Sequence, residues 1–114
     1  RDLIDKGVNV TSHCDCPVIP PNAMRLIDAP VNRVTRSGKI LGPDQRITSY
    51  EGLLTQTRWA AKQYFEENSK GTLTPGKLAD FAILDKNPLK VSPMDIHSIQ
   101  VTETIKEGKS IYKK

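Results

Sequence analysis

The chain is predicted to adopt an α/β fold, helix-rich in its first part and strand-rich in its last. Three observations lead there. A capping box at Thr48–Glu51 opens a stretch with helical periodicity. Ala79–Asp85 is a short apolar run of strand character. Ile99–Lys106 and Lys109–Tyr112 flank Glu107-Gly108, the spacing of a two-residue hairpin.

Asp2 to Ser12 reads as a helix tail stopped at Gly7, then a short strand over Val8–Ser12 with β-branched alternation. The Pro17–Pro21 stretch that follows is a stiff loop, unable to continue a ladder. Asn22 is the expected N-cap of a helix from about Ala23 to Thr35, which Pro30 should break or kink. Ser37–Asp44 is a polar loop. At the capping box Thr48 accepts from an orphan backbone N–H while Glu51 reaches back to the cap. Tyr50, Leu53, Leu54 and Thr57 share one face of the helix it opens. A second helical stretch is expected over Trp59–Glu67.

From Gly71 the pattern changes. Gly71–Gly76 is turn-rich, Ala79–Asp85 is expected as a buried strand ended by Asn87-Pro88, and Val91–Asp95 is loop or a single turn. The chain thus divides into residues 1–70 and 71–114. A three-strand ending leaves open edges. Both parts read as expecting more chain, and the first residue, Arg1, fits a start inside a longer protein.

Composition excludes some classes. The 114 residues suit one modest domain, with 37% hydrophobic and 26% charged side chains. The longest apolar run, Phe81–Leu84, is far too short to span a membrane, and no signal peptide is evident. The net charge of +4 is a mild excess, densest from Arg25 to Arg46. Aromatics are few and not interleaved with it, so nucleic acid is not the expected partner. Cys14 and Cys16 are too close in sequence for an unstrained disulfide, which makes a reducing, cytoplasmic setting the expectation.

One constellation carries chemistry: His13-Cys14-Asp15-Cys16, where the expected strand meets the Pro-rich loop. On a strand His13 and Asp15 face one side and the two cysteines the other. A self-contained zinc site would need a second ligand cluster, and His97 stands alone. Asp15 has two readings. It is a metal ligand and proton acceptor at a strand end, or a polar loop residue anchoring the next turn.

The wider pattern bears on that choice. Val10 to Val18, with its His-x-Asp-x-Pro-Val order, resembles the eighth-strand segment of TIM-barrel amidohydrolases, in the branch of N-substituted formamide deformylases and exoenzyme regulatory proteins. Leu41-Gly42-Pro43 and Gln45-Arg46-Ile47 resemble the loop after the barrel. Glu51 with Leu53-Leu54, Thr57 and Ala60-Ala61 resembles the terminal helices. Gly71-Thr72-Leu73-Thr74-Pro75-Gly76-Lys77-Leu78-Ala79-Asp80-Phe81 is similar to the family's G-x-L-x-x-G-K-x-A-D signature, and Val101 to Lys109 to its closing hairpin.

The resemblance implies the last strand and helices of a (β/α)8 barrel, followed by part of a small β-sandwich shared between both chain ends. It implies one or two divalent ions, usually zinc, activating water against a non-peptide C–N bond. Asp15 would bind metal and act as general base, with His13 in a supporting role or as a further metal contact. The family's other ligands are not in this sequence, so the chain alone should be inactive and should bind no metal. Its implied partners are the upstream part of the same protein and, in the full-length enzyme, a small-molecule amide. Incomplete faces should make the isolated piece a homo-oligomer. In the late signature Leu78, Phe81, Ile83 and Leu84 are expected in a core, and Asp80 is expected to anchor a turn.

Overall fold

A computed structural model describes residues 1–114. Its first helix, α1 (Asp2–Asp5), is a single turn. Gly7 stops it at φ 79°, a left-handed backbone that glycine adopts without steric cost. Arg1 ties this turn to the rest of the fold, pairing with Asp5 at 2.7 Å and with Glu51 at 2.8 Å.

Val8–Ser12 does not form the expected strand. The segment carries no ladder hydrogen bonds. β-branched alternation makes a segment ready to pair, but a strand exists only where a neighbouring strand accepts its N–H groups, and no other strand of the chain pairs with it.

Helix α2 (Ala23–Asn32) begins at Asn22, whose side chain accepts from the Arg25 N–H at 3.1 Å. It is shorter than the expected run to Thr35. Pro30 does not end it at once: the helix runs two residues further, to Asn32, where Arg33 turns left-handed at φ 54°. Pro30 forgoes one helical hydrogen bond. The helix persists through it because Met24, Ile27 and Val31 on its inner face are buried together.

Helix α3 (Ser49–Gln56) has the capping box its sequence implies: Thr48 Oγ1 accepts from the Glu51 N–H at 3.1 Å, and Glu51 Oε2 accepts from the Thr48 N–H at 2.8 Å. Of the face that groups Tyr50, Leu53, Leu54 and Thr57, Leu53 packs against the core. Gly52 and Thr55 point inward, while Tyr50 and Thr57 are exposed. A Cβ on Gly52 would meet Ile27 Cγ2 and Val31 Cγ2 at 2.9 Å, so the missing side chain lets α3 lie directly on α2. Close helix approach selects small residues over large apolar ones there. The second stretch forms as α4 (Arg58–Gln63), shorter than Trp59–Glu67 and offset from α3 by a break at Thr57.

Strands β1 (Phe81–Leu84), β2 (Val101–Lys106) and β3 (Lys109–Lys113) form an antiparallel sheet in the order β1-β2-β3. Phe81 opposes Ile105 and Ile83 opposes Glu103, while Thr104 opposes Tyr112. The hairpin turn has φ 49° at Glu107 and 77° at Gly108, the left-handed pair that matches strand twist. β1 is shorter than Ala79–Asp85 and is not buried: Phe81, Ala82 and Ile83 are exposed, and only Leu84 packs against the core. Leu78 is exposed as well. Phe81 and Ile83 keep 38% and 44% of their surface accessible, so hydrophobicity alone does not bury them.

The core gathers Met24, Ile27, Val31, Ile47, Ile96 and Ile99. It therefore draws on both sides of residue 70. Ile96 lies in a 3-10 helix, Pro93–Ser98, that packs on α2. Asn32 Nδ2 joins the two by donating to Asp28 Oδ1 and to the Pro93 carbonyl, both at 2.7 Å. No helix is long and apolar enough to cross a membrane.

Candidate functional site

The His13–Cys16 segment sits in a turn rather than on a strand. The Val18 N–H donates to the Asp15 carbonyl at 2.8 Å, closing a four-residue turn. Asp15 has φ 49°, a conformation that short polar side chains tolerate better than most. Strand alternation therefore does not set the facing of His13 and Asp15, because the backbone reverses hand between them.

His13 supports this turn directly. Its Nδ1 accepts from the Asp15 N–H at 3.2 Å. A neutral ring that accepts at Nδ1 carries its proton on Nε2, so it presents a donor, not a lone pair, outward. The Asp15 carboxylate has neither a hydrogen bond nor an ion pair within the chain and is exposed. It is available to a partner from outside. Cys14 and Cys16 are free thiols, the first half-buried and the second exposed.

No group of three or more His, Cys, Asp or Glu side chains is arranged to hold a metal ion. A catalytic zinc ordinarily takes three protein ligands. Within this chain the Asp15 carboxylate is an exposed oxygen donor of a kind that such sites use, without a partner of its own.

Two contacts that the sequence does not advertise hold the segment before Asp15. Gln56, the last residue of α3, donates from Nε2 to the Ser12 carbonyl at 2.7 Å. Thr11 Oγ1 donates to Gln63 Oε1, at the end of α4, at 2.7 Å. Neither glutamine belongs to a motif, and only their place at the ends of two packed helices brings them here.

A separate cleft of about 520 Å³ lies between the helices and the sheet, lined mainly by apolar side chains including Met24, Leu53, Tyr64, Leu78 and Phe81. Neither His13 nor Asp15 lines it. Its polar lining, which includes Glu66, Lys70 and Asp80, does not contain the His13–Cys16 segment.

The signature around Gly71 proves structural. A Cβ on Gly71 would lie 2.6 Å from Ala61 Cβ. Lys77 Nζ donates to the carbonyls of Glu67 and Lys70, closing the loop. Asp80 Oδ1 accepts from the Glu107 N–H at 2.8 Å and so anchors the hairpin turn, as expected.

The sequence matches the amidohydrolase family over residues 1–112. It is 28% identical over 95% of its length to N-substituted formamide deformylase of Arthrobacter pascens, covering 20% of that protein. It is 35% identical over 98% of its length to Protein LONG AFTER FAR-RED 3 of Arabidopsis thaliana, covering 19% of it. The fold is similar to that of a Thermotoga maritima amidohydrolase, with a TM-score of 0.73 over 99% of this chain and 25% of that one, at 21% identity. The chain thus spans about a fifth of the curated relatives it matches. On the extent of the family match, this chain belongs to the amidohydrolase family.

Proposed function

We propose that the chain is the C-terminal part of a metal-dependent hydrolase acting on C–N bonds other than peptide bonds, and that it contributes Asp15 to a site whose other ligands lie elsewhere in the full-length protein. The observation that carries this reading is the free, exposed carboxylate of Asp15, held on a turn by His13 at the end of an extended segment without ladder partners. That segment would be the eighth strand of a barrel whose neighbouring strands are upstream. The sheet, with Phe81 and Ile83 partly exposed, would be part of a small sandwich. A divalent ion at that site, zinc by family resemblance, would supply an activated water. Asp15 would hold the ion and accept a proton at its carboxylate, while His13 keeps the turn in place. Similarity to a protein named N-substituted formamide deformylase supports an amide-type small molecule as substrate. The free cysteines are in keeping with a reducing, cytoplasmic setting.

The test is Asp15→Ala in the full-length protein, assayed for zinc content and for hydrolysis of an N-substituted formamide. Loss of most turnover together with bound zinc supports the reading; normal turnover with zinc present overturns it. The other reading, a stand-alone binding module whose surface is the basic stretch from Arg33 to Arg46, is less well supported. Arg33 Nε donates to the Leu41 carbonyl and Arg46 Nε to the Asn32 carbonyl, so both guanidinium groups serve the loop's own backbone.

A further inference from the structure

We propose that Gln56 is a positioning residue for Asp15, acting through the Ser12 carbonyl; this rests on the reading of Asp15 as a metal ligand. The segment leading to Asp15 has no ladder, and no backbone group of residues 9–14 bonds another backbone group. Its polar ties to the rest of the fold are the Gln56–Ser12 bond, partly buried, and the exposed Thr11–Gln63 bond. Ser12 is three residues before Asp15, and His13, directly after Ser12, holds the Asp15 N–H. A shift of the Ser12 carbonyl is therefore transmitted to the carboxylate through a short, bonded stretch of chain.

Gln56 is itself well fixed. Gly52 lets α3 seat against Ile27 and Val31 of α2. Thr55, almost fully buried, donates from Oγ1 to the Gly52 carbonyl at 2.7 Å one residue before Gln56. The amide thus extends from the end of a helix locked into the core, a better anchor than the exposed Gln63 on the short α4. Partners bonded directly to a ligand typically tune metal affinity by about 10–100-fold, and Gln56, acting through the Ser12 backbone, is placed at the low end of that range.

The experiment measures zinc affinity of the full-length protein by chelator competition, with thermal midpoints recorded in parallel. Gln56→Glu keeps the side chain's shape but replaces the N–H donor with an acceptor-only carboxylate. Gln56→Lys keeps a donor of comparable reach. Expected are a loss of about 10-fold or more in zinc affinity for Gln56→Glu, retained affinity for Gln56→Lys, and no parallel difference in thermal midpoint. Equal affinity in all three proteins overturns the inference. So does a loss in both variants that follows their thermal midpoints. Asp15→Ala separates the levels. If it keeps its zinc, the reading of Asp15 falls and this inference with it; if it loses zinc while Gln56→Glu does not, the inference alone falls.

Discussion

Gly71 and Ala61 approach so closely that a methyl group on Gly71 would lie 2.6 Å from the Ala61 Cβ. Gly71 also has φ 82°, where a side chain is strained whatever the space. These are separable causes. Gly71→Ala is expected to destabilise by about 1–2 kcal/mol for the backbone and a further 1–3 kcal/mol or so for the overlap. Ala61→Gly in the same molecule should relieve only the overlap. A double-mutant cycle by urea denaturation reads the difference, and strictly additive effects would show that the contact is not the cause.

Asp80 sits in the most recognisable stretch of the sequence, yet its carboxylate serves the hairpin. Asp80→Ala is expected to lower stability by about 0.5–1.5 kcal/mol, the worth of one hydrogen bond, with turnover of the full-length protein retained. Asp80→Asn, which keeps an acceptor oxygen, should lose less. Abolished turnover in a folded Asp80→Asn protein would contradict the structural role.

Glu51 links the chain start to α3. Burial pushes its carboxyl up, but the Thr48 N–H and hydroxyl and the Arg1 guanidinium outweigh that and hold it below the usual carboxylate range. A depressed folded value means that the stabilisation is present at neutral pH. It is lost as pH falls through the folded value. Acidification should therefore release α1 early, and Glu51→Gln should flatten that part of the pH–stability curve. Hydrogen exchange of residues 1–7 between neutral and acidic pH checks this. Unchanged exchange in the wild-type protein would dismiss the link.

Phe65 and Leu73 are 90% and 83% exposed, and Phe81 and Ile83 of β1 are partly exposed. In the full-length protein we expect upstream chain to cover such surfaces. Produced alone, the 114-residue chain should self-associate through them. A monodisperse monomer by light scattering at high concentration would count against this.

The local chemistry of the chain was legible from its residues. Asn22, Thr48 with Glu51, Gly7 and Glu107-Gly108 each specify a cap, stop or turn through their own side chain or backbone freedom, and each appears where expected. The candidate site was legible only as Asp15 and His13, because their order follows a family pattern. Tertiary structure decided the rest. Val8–Ser12 stays unpaired because a strand needs a neighbour. Helix α2 runs through Pro30 because core burial outweighs one lost hydrogen bond. The α3 face at Gly52 and Thr55 is buried because α2 lies against it. Gln56 reaches Ser12 across 44 residues of sequence. Such a contact depends on where two helices pack, and no periodicity along the chain encodes it.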